Sequence, residues 1–373
     1  MATRGSDLAL RQAAGVRDTV ASRRLTVELV EIETRGDRVR DELIHRLGRV
    51  GAFVHALDER VLAGEVDGAV HSMKDMPTER PEDLVVAAVP ERAAAGDVLV
   101  TPDGSGLDDL PRGAVVGTSS LRRRALLCRE RPDLEVRPLR GNVDTRIEKL
   151  LAPALQREHE RRLAAAGELD EAADDTDTGG GDDGFDRSPD EWFADLSPVE
   201  RRALERDVGT EYDAIVLAEA GLDRLGLLEA VEHERLPTDS FVPAPGQGAV
   251  AVTASEEGAV DLLHGRADHP RTRVETTVER TVLAELGGGC VAPIGVHARL
   301  QGERVHVDAV VASPDGTEVI EGTRDLPVET HAEAAVDFAA DLADRGAAAL
   351  VEAAREATAE GGEGADVHGG DDE

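Results

Sequence analysis

The sequence predicts an α/β protein with mixed or parallel sheets, followed by a separate small α+β domain. Three observations lead there. Short apolar, β-rich runs alternate with helical patterns along most of the chain. From Arg304 the pattern changes to strand alternation, RVHVDAVVASPDGTEVIEG, around a Pro314-Asp315-Gly316 turn, and an Ala-rich amphipathic helix follows from about His331 to Ala357. At 373 residues the chain is long enough for two or three domains, each with its own core.

The elements fall in order. Residues 25–34 (LTVELVEIET) have period-2 character and predict a strand. Residues 68–70, 84–89 and 114–117 are further short apolar strands. Residues 134–139 and 213–218 read as buried strands leading into helical segments, and 248–253 as another. Residues 168–195 hold twelve acids and one Arg around Gly179-Gly180-Gly181, which predicts a solvated or disordered insertion. The tail, residues 361–373, is expected to be disordered as well.

Composition narrows the function. The chain carries 77 acidic and 42 basic residues, a net charge of −35. A nucleic-acid surface should be broadly basic, and stacking platforms need aromatics, of which there are one Trp, one Tyr and five Phe. Nucleic acid is therefore not an expected partner. No apolar run is long enough to span a membrane, and MATRGSDLAL has no apolar core of a secretion signal. Two cysteines, Cys128 and Cys290, give no disulfide framework and fit a reducing cytoplasm. Lys74 and Lys149 are the only lysines; all other basic residues are Arg. Extreme acidity with almost no Lys points to a halophilic, archaeal source, where net charge maintains solubility.

Against this background one window is cationic. Residues 117–146, GTSSLRRRALLCRERPDLEVRPLRGNVDTR, hold eight arginines against four acids. Either a solvated helix face balances local charge, or the arginines serve an anion. Gly117-Thr118-Ser119-Ser120 follows a strand and precedes a helix. Its hydroxyls can cap that helix, and its N–H groups, with Arg122, Arg123 and Arg124 on the first turn, can bind an anion. Arg140-Gly141-Asn142 follows another strand end, with Arg146 a helical turn later; guanidinium forks suit carboxylates.

Two more segments bear chemistry. His71-Ser72-Met73-Lys74-Asp75-Met76-Pro77 sets one of the two lysines beside an acid after a strand. It is an ordinary ion pair, or a carboxylate in a cation-rich pocket able to hold a developing cation or shuttle protons. Gly287-Gly288-Gly289-Cys290 brings a thiol onto a glycine loop, where it can be a nucleophile or a small buried hydrophobe. The eleven His and two Cys have no metal-ligand spacing, and no nucleotide-binding glycine motif is present.

ATR at 2–4, TRGD at 34–37, AVHSMKDMP at 69–77, GTSSLRR at 117–123, RGNVDTR at 140–146, PGQGA at 245–249 and GGGCVAPIG at 287–295 occur in one order. Together they resemble the hydroxymethylbilane synthases, or porphobilinogen deaminases, over nearly the whole chain outside the acidic insertion and the tail. The resemblance implies a transferase that joins four porphobilinogen molecules into linear hydroxymethylbilane with release of ammonia. It implies a dipyrromethane cofactor held by a thioether to Cys290. Asp75 would contact the pyrrole N–H groups and stabilise the cation left as ammonia departs. Lys74, Ser72, Thr118, Ser119, Arg122, Arg123 and Asn142 would hold the cofactor. Arg4, Ser6, Ser120, Arg140, Arg146, Gln247 and Phe53 would hold substrate. Asp37 lies on the cofactor side of the pattern.

The resemblance also implies three domains. The first two are like periplasmic binding proteins, with mixed sheets, and the third is the small α+β domain carrying Cys290. The expected bounds are 1–95 plus 245–266, then 96–244 with an insertion at about 152–208, then 267–360. The active cleft lies between the first two. This sequence departs from the family pattern at residues 46–53 (RLGRVGAF), where Arg49 would take over loop contacts, and at Asp144, where Gly is common. A cytoplasmic monomer is expected. The alternative is a non-catalytic, two-lobed receptor for carboxylates or other anions.

Overall fold

In the computed structural model the chain is described at residues 1–32, 52–167, 185–288 and 292–363. Asp37, residues 46–51 and Cys290 lie outside the described residues, as do the side chain of Phe53 and residues 364–373 of the tail expected to be disordered from 361; residues 361–363 instead end a helix.

Strand β1 (Ala2–Arg4) is followed by helix α1 (Asp7–Val20), whose N-cap Ser6 accepts from the Ala9 N–H. Next come β2 (Val30–Ile32), α2 (Ala52–Leu62), β3 (Ala69–Ser72), a 3-10 turn (Met73–Asp75) and β4 (Val85–Ala88). The strand expected at 25–34 is shorter than its pattern: Ser22 and Leu25 instead form an isolated antiparallel bridge, and the ladder starts at Val30. The chain then builds β5 (Asp97–Val100), β6 (Val115–Gly117), α3 (Leu121–Glu130), β7 (Glu135–Arg137) and α4 (Val143–Ala166).

Two short helices follow, α5 (Pro189–Asp195) and α6 (Pro198–Leu204). The first of them corrects the expectation that all of 168–195 is non-globular. Ser188 with Glu191, and Ser197 with Glu200, form reciprocal capping boxes, each with Pro at the first helical position. Both helices pack on α4. Arg162 of α4 stacks over the Phe185 ring, and His159 stacks on Trp192. Glu148 of α4, 2% exposed, accepts from Arg202 and Arg206. Acidic composition hid these partners.

The remaining elements are β8 (Ala214–Ala218), α7 (Glu219–Leu225), β9 (His233–Arg235), β10 (Val250–Ala254), α8 (Glu257–Ala267) and α9 (Pro270–Glu285). Strands β11 (Ile294–Gln301), β12 (Arg304–Ala312) and β13 (Val319–Pro327) precede α10 (His331–Asp344) and α11 (Ala347–Glu363). The expected single helix from His331 is two, broken at Arg345-Gly346, where Gly346 takes φ 107° and no α-helix can continue.

The strands form three sheets. The first has order β2-β1-β3-β10-β4, parallel except that β10 runs antiparallel to β3 and β4. The second has order β7-β6-β8-β5-β9, with β6 parallel to β7 and β8, and β5 antiparallel to its neighbours. The third is the antiparallel meander β11-β12-β13, with the hairpin expected around Pro314-Asp315-Gly316. The mixed α/β class and the small third sheet match the expectation.

Because β10 belongs to the first sheet, the chain crosses between the first two sheets twice, at 89–96 and 236–249. The crossings touch: a Cβ on Gly248 (φ 82°) would sit 2.6 Å from the Ala93 carbonyl, so only Gly fits there. The third sheet packs against α9, α10 and α11 and joins the second core through Val310. Gly316, at the hairpin tip, approaches the Ala125 carbonyl of α3 so closely that a Cβ would lie 2.2 Å away.

Candidate active site

Four of the ligand-type segments singled out in the two larger sheets follow the carboxyl end of a parallel strand. Arg4 ends β1, Ser72 ends β3, Thr118 follows β6 and Arg140 follows β7. That edge is where α/β sheets bind ligands, because strand ends and helix N-termini face the crevice there.

After β3 the chain turns through one 3-10 turn, which presents Lys74 half-buried and Asp75 exposed. Ser72 makes no side-chain cap to this turn. After β6, Ser120 caps α3 by accepting from the Arg123 N–H, Thr118 accepts from the Ser120 N–H, and Ser119 donates to the Leu139 carbonyl at 2.6 Å. All three hydroxyls therefore hold the loop in shape. After β7, Asn142 is the N-cap of α4 but its side chain makes no cap bond, and Arg146 donates from Nε to the Gly141 carbonyl at 2.8 Å.

The structure gathers Lys74, Asp75, Arg123 and Arg146. Asp75 pushes the Lys74 ammonium up, but burial and the charges of Arg123 and Arg146 outweigh it and hold Lys74 below the ordinary lysine value. Burial and Arg123 bring Arg146 down to about 10 against the pull of Asp75. Cations outnumber anions here, in a chain of net charge −35. Such a pocket is stabilised by an incoming anion.

Arg122 and Arg123 are placed differently from the expectation that both simply face a ligand. They are 4% and 5% exposed and converge on Asp97, which is 1% exposed. Arg122 donates to Asp97 Oδ2 at 2.7 Å and to the Val242 carbonyl at 2.7 Å. Arg123 donates to Asp97 Oδ1 from Nε and Nη2, and to the Val216 carbonyl. Gln247, expected beside substrate, is 1% exposed; its Nε2 donates to the Ala95 carbonyl and to Asp97, and its Oε1 accepts from Arg123. It locks one crossing segment to the other. Arg122 Nε and Arg140 Nη1 are buried with no hydrogen-bond partner among the described residues. Buried unsatisfied guanidinium donors are costly, and a carboxylate ligand removes that cost.

Asp97 was not among the expected site residues. It is one acid in the short run DVLV, and its partners lie 25, 26 and 150 residues away. Burial pushes its carboxyl up, but Arg122 and Arg123 outweigh burial and bring it down to about 2. With the folded value depressed, this stabilisation is present above the unfolded carboxylate value near 4. It is lost as pH falls through about 2, and by linkage it is worth about 2 kcal/mol. Asp97→Asn leaves two buried cations without their counter-ion and is expected to cost about 3–5 kcal/mol. Denaturant titrations at pH 7 and at pH 2.5 check this: the gap between parent and variant should narrow at the lower pH.

Comparisons with known proteins identify the family. A family model for the porphobilinogen deaminase, dipyromethane cofactor binding domain matches residues 1–167 and 199–260. A model for the porphobilinogen deaminase C-terminal domain matches residues 274–344. The acidic segment between 167 and 199 falls outside both. A probable porphobilinogen deaminase of Halobacterium salinarum is 55% identical, over 95% of this chain and 98% of that protein. A probable porphobilinogen deaminase of Methanococcoides burtonii is 37% identical over 95% and 96%. A porphobilinogen deaminase of Desulforudis audaxviator is 38% identical over 94% and 95%. The first of these is consistent with the halophilic origin that the acidity suggests.

Proposed function

The chain belongs to the porphobilinogen deaminase family, and we propose that Asp75 carries its polar chemistry while Lys74, Arg122, Arg123, Arg140 and Arg146 hold carboxylates. The reaction joins porphobilinogen molecules into hydroxymethylbilane in tetrapyrrole synthesis, and the cofactor is dipyrromethane. The alternative of a non-catalytic anion receptor is therefore set aside.

The residues present fit a dipyrromethane. Its acetate and propionate groups need several cation donors at close range, and the site offers the unmatched Arg122 Nε and Arg140 Nη1 beside the crowded Lys74–Arg123–Arg146 cluster. When bound, the cofactor supplies the terminal pyrrole carbon from which the chain is extended.

Cys290 is the attachment residue in this reading. Arg4 and Ser6 at the β1–α1 junction, with Ser72, Asn142 and Phe53, complete the binding wall. Thr118, Ser119 and Ser120 shape the loop at the start of α3. Asp75, exposed at the cleft, accepts hydrogen bonds from pyrrole N–H groups. It stabilises the positive charge on porphobilinogen as the carbon–nitrogen bond breaks and ammonia leaves. At about 1 M salt the Debye length is near 3 Å, so the arginines act by direct contact and not by long-range steering.

The domains follow the three sheets: 1–95 with 245–266, 96–244, and 267–360. The enzyme works as a cytoplasmic monomer without nucleic acid; no helix among the described residues is long and apolar enough to cross a membrane. The observation that carries the reading is the cation crowding around Asp75. Its test is Arg146→Gln, which removes charge from the cluster but keeps a polar side chain. We expect KM for porphobilinogen to rise tenfold or more while the protein stays folded. An unchanged KM would count against a carboxylate-binding role.

A further inference from the structure

Helix α9 touches the Lys74–Asp75 turn from behind. Arg280 of α9 donates to the carbonyls of Met73 at 3.2 Å, Met76 at 3.1 Å and Pro77 at 2.6 Å. These three carbonyls bracket the turn that presents Lys74 and Asp75. On one side the turn is packed: Met73 and Met76 lie in a cluster with Val54, Val89, Ala249 and Ala251. On the other side a cavity of about 280 Å3 opens, lined by Met73, Met76, Arg273, Thr277, Arg280 and Ala284.

The same helix is fixed to the rest of the site one residue earlier. Glu279 is fully buried; it accepts from both Nη atoms of Arg92 and from the N–H groups of Gly246 and Ala298. Arg92 and Gly246 belong to the two crossing segments, and Ala298 to β11. At its C-terminal end α9 closes with the Gly288 N–H donating to the Leu283 carbonyl. A Cβ on Gly288 would lie 2.4 Å from Ile294 Cδ1, so this end of the helix packs tightly against β11.

We infer that Arg280 is a positioning residue for catalysis: its three hydrogen bonds fix the Lys74–Asp75 turn to α9 and so fix where Asp75 is presented. This rests on the role proposed above for Asp75. Loss of these bonds frees the turn from α9, and small displacements of a catalytic group cost large factors in rate.

The test compares Arg280→Met and Arg280→Lys with the parent. The readouts are intact mass, thermal midpoint, steady-state kinetics and amide hydrogen exchange of the peptide spanning residues 70–80. For Arg280→Met we expect the covalent adduct to be retained, exchange in that peptide to quicken, kcat to fall tenfold or more, and KM to stay within threefold. Arg280→Lys, which can reach the same carbonyls with a single ammonium, should recover part of kcat, and it carries the test if the Met variant does not fold. Unchanged exchange in the peptide would overturn the clasp whatever Asp75 does. Faster exchange with kcat within twofold of the parent would overturn its positioning role. Failure of the Asp75 assignment shows separately, as near-normal turnover of Asp75→Asn.

Discussion

Replacing Cys290 with serine is expected to yield a folded protein with no covalent adduct and no measurable turnover. The thiol is the one strong nucleophile on the glycine loop, and a serine hydroxyl is far less nucleophilic at neutral pH. The substitution removes one sulfur and should leave the thermal midpoint of the unloaded chain almost unchanged. Ehrlich's reagent, which colours a bound dipyrromethane, should stay colourless with the variant. Cys128 gives an internal control. It lies on α3, half-buried, and Cys128→Ser should keep both adduct and activity.

Asp75→Asn should separate attachment from turnover. The variant keeps the shape of the turn and leaves Lys74, Arg123 and Arg146 in place, so the carboxylates of the cofactor still find their donors. What it loses is the negative charge facing the developing cation. Removing such a group costs on the order of 10²–10⁴ in kcat. The expected result is a loaded protein with kcat down by about that factor and KM little changed. A drop in bound cofactor with kcat per loaded site preserved would instead make Asp75 a binding residue.

Much of this site was legible in the sequence because local chemistry dictates it. Ser120 before an Arg-rich helix is an N-cap in the structure, and the lysine–aspartate pair after a short strand sits on a turn at the strand's carboxyl end. The Pro314-Asp315-Gly316 hairpin follows from its turn residues. Other features were hidden because they exist only across the fold. Asp97 looks like any acid, yet it neutralises two arginines from another element. Glu279 and Arg280 read as a polar stretch of helix, and Arg92, which pairs with Glu279, and the carbonyls that Arg280 holds lie more than 180 residues away. Strand β9 (His-Glu-Arg) has no apolar pattern because it is a sheet edge. The helices α5 and α6 were obscured by acidic composition, although Ser-Pro-Asp-Glu and Ser-Pro-Val-Glu carry capping-box signals.

The buried network around Asp97 explains why so many arginines persist in so acidic a chain. Two of them, Arg122 and Arg123, spend most of their donors on the protein and hold the crossing segments together. The crowding that remains at Lys74 and Arg146, together with the unmatched Arg140 Nη1, is what a polycarboxylate would neutralise.

The most direct test of the central claim is the intact mass of the purified protein with and without porphobilinogen. The cation cluster and Cys290 require that the parent and Asp75→Asn both carry a two-pyrrole adduct, that Cys290→Ser carries none, and that porphobilinogen adds whole pyrrole units to the parent. An active parent of bare polypeptide mass, or an adduct that survives on Cys290→Ser, would contradict it.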